Sequence, residues 1–221
     1  MGRSAGLPDG GRLVYSLLIF TFAHFLFMVP AKNKIIIIAA PSGAGKTSVV
    51  RHLLKALPDK LSFSISAATR QPRNNEKDGV DYYFITAKEF EQRIEQDAFV
   101  EWEMVYPGKY YGTLKSEVQR IWQQHKAPLL DVDVQGGLRV QEKYPGTSLS
   151  LFIEPPSIEE LERRLRARGT ETPESLQARI SKASYEMSFK DLFDHIIIND
   201  KLERACKEAE TIVRNFLSHK Q

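Results

Sequence analysis

Residues 34–39 (KIIIIA) form an unbroken β-branched run, the pattern of a strand buried on both faces, and a Gly-rich turn and a helical pattern follow at once. Over 47–57, Val49, Val50, Leu53, Leu54 and Leu57 recur at helical spacing, keeping one apolar face against a sheet until Pro58 ends the helix. Further strands are predicted at 128–132, 148–153 and 195–198. Helices are predicted between and after them at 136–143, 157–166 and 202–217, the second opening on the capping box Ser157-Ile-Glu-Glu160. Strand alternating with helix implies an α/β fold with a parallel sheet flanked by helices.

Two stretches break the alternation. Over 62–113, short alternating pieces at 63–66, 82–85 and 99–105 surround one helix capped by Thr86 and Glu89, which predicts a small mixed α/β insertion beside the core. Residues 163–182 are polar and arginine-rich, punctuated by Gly169 and Pro173 within helical pattern, and read as a helical lid. The amino terminus differs from both. About 17 nearly all-apolar residues over 13–29 follow Arg3 and Arg12. A membrane anchor would have His24 in its middle at the bottom of the spanning length, and a signal peptide would lack its small-residue cleavage site. The preferred reading is that Met28 is the native start and that 1–31 is a hydrophobic extension outside the fold, with the domain at 32–221.

Composition changes this picture little. The chain has 221 residues, 42% hydrophobic and 27% charged, enough for a packed core and unlike a disordered chain. Lysine plus arginine total 31 against 28 acids, a net +3 spread without long single-sign runs, so nucleic-acid binding is not expected. Cys206 is the only cysteine, which excludes an intrachain disulfide and a cysteine zinc cluster and fits a reducing, cytoplasmic compartment.

The chemistry lies in the loops. Ala40-Pro41-Ser42-Gly43-Ala44-Gly45-Lys46-Thr47 joins the buried strand to the first helix, the setting that a Walker A phosphate cradle requires. Gly43 and Gly45 let backbone N–H groups converge on phosphate oxygens and the helix adds its positive end. Lys46 can reach the β- and γ-phosphates, and Thr47 can place its hydroxyl on Mg²⁺. The consensus opens on Gly where this chain has Ala40, a position expected to accept a Cβ. In the insertion, Arg70 and Arg73 flank Pro72, a loop whose guanidinium forks suit a second phosphate held bidentately. Two anion sites imply two phosphorylated ligands. Asp131 and Asp133 close the strand predicted at 128–132, at the carboxyl edge of the sheet where open α/β folds bind ligands, and strand alternation sends them to opposite faces.

In order, A-P-S-G-A-G-K-T, S-A-A-T-R-Q-P-R-x-x-E, D-Y-Y-F, V-E-W, Y-Y-G-T, L-D-V-D-V-Q-G and R-G-T-E-T make the chain from Lys32 onward resemble guanylate kinases. The resemblance implies direct, in-line transfer of a phosphoryl group from MgATP to GMP, with dGMP a second acceptor. It surrounds the GMP phosphate with Arg70, Arg73, Tyr82 and Tyr111, adds Ser66 and Glu76 to that pocket, and makes Glu101 the carboxylate that accepts from guanine N1–H and its amino group. Thr113 would donate to guanine O6, Asp133 would face the acceptor base, and Asp131 would stand near Mg²⁺ through water. Arg164, Arg168 and Arg179 resemble catalytic lid arginines, and Asn199 resembles a residue bordering the adenine of ATP. Closing a cationic lid supplies the positive charge and water exclusion that phosphoryl transfer needs. Two rivals were weighed: a kinase of another phosphorylated acceptor such as a ribose bisphosphate, opposed by Glu101 and Thr113, and a phosphopeptide-binding relative, opposed by the intact cradle, Lys46 and lid arginines.

Overall fold

A computed structural model of the chain describes residues 33–73, 75–167 and 172–218. The extension at 1–31 and Arg168 lie outside the described residues. Five strands make the first sheet: β1 (Ile35–Ala39), β2 (Leu61–Phe63), β7 (Ala127–Asp131), β8 (Ser148–Glu154) and β9 (His195–Ile198). Their order is β2-β7-β1-β8-β9 and every pairing is parallel. The all-isoleucine pattern of β1 follows from its central place. Ile36 and Ile38 pack with Val49 and Leu53 of α1 (Lys46–Ala56) and with Ala209 and Val213 of α7 (Leu202–Ser218). Ile35 and Ile37 face the opposite layer, against Val118 of α3 (Lys115–Gln123) and Val140 of α4 (Val134–Lys143).

The second sheet, β4-β3-β6-β5, is built from β3 (Ala67–Ala68), β4 (Tyr83–Phe84), β5 (Phe99–Tyr106) and β6 (Lys109–Leu114). Helix α2 (Ala87–Glu95) covers it, opening on the expected reciprocal capping box of Thr86 and Glu89. Phe90 of α2 stacks on Phe99 at 4.3 Å and on Tyr110 at 5.1 Å between ring centroids. The lid region holds α5 (Ile158–Ala167) and α6 (Pro173–Met187), joined in a small core by Leu161, Leu165, Leu176 and Ala183.

Four local expectations change. Of the strand predicted at 63–66 only Phe63 is in strand, as the last residue of β2, which pairs with β7 in the first sheet, so the second sheet begins only at Ala67. Helix α3 follows β6 without a break residue, and its mostly polar sequence hides a stripe of Val118 and Ile121. The strand expected to run to Val132 stops at Asp131, and Asp133 turns to cap α4, its Oδ1 accepting the Gly136 N–H at 2.7 Å. Strand alternation therefore does not govern Asp133. The capping box of α5 is half formed: Ser157 Oγ accepts the Glu160 N–H at 3.2 Å, but the Glu160 carboxylate turns to Arg163 and Arg164, which offer charge-assisted bonds.

Leu53 ties α1 to the sheet and is fully buried. Leu53→Ala is expected to lower unfolding stability by about 2–5 kcal/mol, because the packed layer refills the void only partly; denaturant titration measures the loss.

Candidate active site

The loop from Ala40 to Thr47 wraps the start of α1. Ala40 packs in the main core cluster, and its backbone lies outside the left-handed region, so the Cβ at this departure from consensus is accommodated. Gly43 and Gly45 have φ of 96° and 98°, conformations that L side chains rarely adopt. A Cβ on Gly45 would also stand 2.2 Å from Asn199 Nδ2. Helix α1 has no side-chain cap and no acid in its first turn, which leaves its N-terminal donors and positive end for an anion. The Pro41, Ser42 and Ala44 positions complete the cradle, with the Ala44 N–H donating to the Pro41 carbonyl at 3.1 Å. Thr47 is exposed in the first turn of α1.

Lys46 lies folded onto the end of β7, Nζ at 2.5 Å from Asp131 Oδ1 and donating to the Val132 carbonyl at 2.6 Å. Asp131 is thus the Lys46 partner at the carboxyl edge of the sheet. Arg179 Nη1 donates to Ser42 Oγ at 2.7 Å, which brings α6 onto the cradle. Arg164 points elsewhere: Nε donates to Glu160 Oε1 at 2.8 Å and Nη2 to the Asn199 carbonyl at 2.9 Å. Asn199 is buried beneath the loop and donates from Nδ2 to the Ala44 carbonyl at 2.7 Å. Its side chain therefore meets the phosphate loop from below.

The second sheet carries the other pocket. Arg70 donates from Nε to the Tyr111 hydroxyl at 3.1 Å, and its fork is gripped by Glu76 at 2.5 and 2.8 Å. Its guanidinium carbon also lies 4.9 Å from the Tyr82 ring centroid. The Arg70 side chain and the Arg73 N–H hold Glu76 down to about 2, so it stays anionic and keeps Arg70 in place. The expected pair of free forks is corrected accordingly: Glu76 takes the Arg70 fork, and Arg73 is the exposed guanidinium of the loop. Ser66 closes the start of the pocket, its carbonyl accepting the Tyr83 N–H at 2.9 Å. Tyr82 is raised above its ordinary value by burial, and the charge of Asp131 adds to that shift, which puts this pocket within electrostatic reach of the cradle.

Glu101 and Thr113 face each other across β5 and β6. Glu101 is 7% exposed, and its Oε1 accepts the Thr113 N–H at 3.0 Å and the Thr113 hydroxyl at 2.7 Å. The hydroxyl proton expected to serve guanine O6 is therefore directed at Glu101. Burial raises the Glu101 carboxyl to about 7; the nearby Asp133 charge adds to the rise, while the Thr113 hydroxyl opposes it. A Cβ on Gly136 would lie 2.8 Å from Glu101 Oε2 and 3.0 Å from Asp133 Oδ1, so glycine is what lets both carboxylates meet the start of α4. The cradle, Lys46 and Asp133 line one cavity, and Glu101 stands beside Asp133 at the start of α4.

Charges on α6 were legible only in part. Arg179, Lys182 and Glu186 are spaced on one helical face and line a cavity of about 320 Å³ with the cradle and Asp133. The sequence reading took the arginine and passed over the other two. Glu186 is buried, which raises its carboxyl. Only the helical period of the charged residues could have found it.

Because the folded-state value of Glu101 lies above its ordinary 4.5, the stability it lends is fully present below that value and lost as pH rises through about 7. Glu101→Gln, which keeps the acceptor for Thr113, removes this dependence. Its melting temperature relative to the native chain is expected to move in the variant's favour from pH 5 to pH 8, and a constant offset would contradict titration of Glu101.

Known proteins resemble this chain over most of its length. The guanylate kinase family model matches residues 32–216. The chain is 49% identical to a guanylate kinase of Bacteroides fragilis over 184 residues, 83% of this chain and 90% of that protein. It is 45% identical to the guanylate kinase of Bacteroides thetaiotaomicron over 201 residues, 90% and 98% of the two chains. Among solved structures, the guanylate kinase of Anaplasma phagocytophilum superposes with a TM-score of 0.69 at 27% identity, covering 86% of this chain and 89% of that one. With its Walker A strand-loop-helix and the second sheet in place, the chain belongs to the guanylate kinase family, ATP-dependent kinases of GMP.

Proposed function

We propose that the chain transfers the γ-phosphoryl group of MgATP to GMP by direct in-line displacement at the end of β7, with dGMP as a second acceptor. The observation that carries this reading is the adjacency of the phosphate cradle and the base-reading carboxylate: Lys46 rests on Asp131, and Asp133, two residues on, stands beside Glu101. ATP would lie along Ala40 to Thr47. Lys46 would leave Asp131 for the β- and γ-phosphates, exchanging one carboxylate for a more highly charged partner. Arg179, already on the cradle, and Arg164 would supply charge from the lid at 163–182, and Arg168 joins them by resemblance alone. Asn199 would act on ATP by holding the loop. Because the fold provides no protein cage of three or more acids, histidines or cysteines among the described residues, Mg²⁺ would be held by the phosphates with Thr47, and Asp131 through water. When bound, Mg²⁺ would supply positive charge against the negative charge that develops on the donor phosphates.

The insertion expected at 62–113 is the acceptor unit in this reading. Arg73, Tyr82, Tyr111 and the Arg70–Glu76 pair, with Ser66, would surround the GMP phosphate; cations and phenolic donors suit a dianion. Ionised Glu101 would accept from guanine N1–H and the exocyclic amine, a donor pair adenine does not offer. A base that left this buried carboxylate unpaired would be rejected strongly. Asp133 would face the same base. Closure over both nucleotides keeps water from the γ-phosphate. A cytoplasmic setting fits these nucleotide substrates, and none of the described helices is long and apolar enough to cross a membrane.

The test is ADP formation from MgATP with GMP, dGMP, AMP, UMP or ribose bisphosphate offered separately, using a chain that begins at Met28. Turnover confined to the guanine nucleotides is expected; binding of GMP or a phosphopeptide without turnover with any acceptor would overturn the proposal. Lys46→Ala is expected to reduce kcat by about 10²–10³-fold, the usual loss for one preorganised charge on a transition state. GMP must meet ionised Glu101, so affinity for GMP should tighten from pH 6 to pH 8 by calorimetry. The part of that change due to Glu101 should disappear in Glu101→Gln, leaving the part due to the phosphate of GMP itself.

A further inference from the structure

The second sheet joins the core through two backbone connections, one between β2 and β3 at 64–66 and one where β6 passes into α3 at Leu114 and Lys115. Glu117 stands in the first turn of α3, on the core side of the second connection, and is 3% exposed. Its Oε1 accepts the backbone N–H of Ile65, in the first connection, at 3.2 Å. Its Oε2 accepts the hydroxyl of Tyr83, on β4 of the second sheet, at 3.0 Å. Arg120, one turn along α3, closes on the same carboxylate at 2.9 and 2.7 Å. One buried acid therefore binds both connections and the sheet they carry. Burial pushes its carboxyl up, but Arg120, the Ile65 N–H and the Tyr83 hydroxyl together hold it below its ordinary value, so it is the ionised form that makes these bonds.

The polar bridges from α4 to the second sheet are more exposed or longer. Arg139 of α4 meets Glu103 of β5 at 2.5 Å, but both side chains are more than a third exposed and are screened by solvent. Lys143 reaches the Phe99 and Val100 carbonyls only at 3.3 and 3.4 Å. Contacts of that kind slide as a sheet swings. A charge-assisted set shielded from water and placed at the pivot does not.

We propose that Glu117 is the pin of the hinge on which the acceptor sheet turns, a positioning residue for GMP. The inference rests on the reading of the second sheet as the GMP site. With the pin in place, the sheet swings about one axis, and the pocket of Arg70, Tyr82 and Glu101 arrives at the cradle in one orientation. Without it, the sheet samples more orientations, and apparent affinity for GMP falls with the fraction that is competent to bind. The ATP site, on the other side of the pivot, is unaffected.

Two variants of the full chain test this. Tyr83→Phe removes only the bond to the sheet, and Glu117→Gln removes the charge while keeping an acceptor. Both are expected to raise KM for GMP by about 3–10-fold, with KM for ATP unchanged and kcat within about twofold, the split expected when a competent population shrinks. Amide hydrogen exchange at Ile65 should accelerate in Glu117→Gln and not in Tyr83→Phe. An unchanged KM for GMP in both variants would overturn the pin, as would equal rises in both KM values, which signify general loosening. If Glu117→Gln does not fold, Tyr83→Phe decides alone. Failure of the native chain to turn over GMP would instead defeat the reading of the site, while turnover with an insensitive KM defeats only the pin.

Discussion

A triphosphate and a monophosphate repel one another, and an enzyme that transfers a phosphoryl group between them must supply positive charge at the meeting point to offset that repulsion. The end of β7 is where this chain meets that constraint. Lys46 rests there on Asp131, the free positive end of α1 opens beside it, and Arg179 reaches across from α6 to Ser42. Asp131 and Asp133 would be a liability against incoming phosphate if they stood alone. In this structure one is paired with Lys46, and the other is spent on the N-terminus of α4, where a carboxylate stabilises the helix dipole. The surrounding fold, with β1 buried in the centre of a parallel sheet, holds the loop and these acids in register.

The core was legible because its signals were long. The isoleucine run of β1, the apolar stripe of α1 and that of α7 each extend over several residues with one period, and each is found where that period places it. The second sheet was legible only as an irregular stretch. Strands β3 and β4 are two residues each, too short for alternation to register, and they exist because β6 pairs with β3 and β3 with β4. Asp133 shows a different failure. Its spacing from Asp131 mimics strand alternation, but the chain has already turned, and only the pairing geometry ends β7 before it.

Burial separates two acids that sequence spacing could not. Glu76 lies in a loop and Glu101 in β5, and each meets donors of this chain. Glu76 is tied to a guanidinium near solvent and is held strongly acidic, fit only to orient Arg70. Glu101 has neutral donors, a neighbouring Asp133 and little water, and is held near neutrality. A carboxylate in that condition gains most from a ligand that brings its own N–H donors and excludes the remaining solvent. The surroundings thus assign one acid to architecture and the other to recognition.

Asn199 then connects the lid to the cradle. It lies one residue past β9, its carbonyl receiving Arg164 from α5 and its amide donating to the Ala44 carbonyl. The space beside Gly45 is filled by that same amide, so the loop has a glycine there for two reasons: its left-handed φ, and the absence of room for a Cβ. A movement of α5 that displaced Arg164 would act on Asn199, and through its amide on the carbonyl between the two loop glycines. Two hydrogen bonds thus tie α5, Asn199 and the phosphate loop into one contact path.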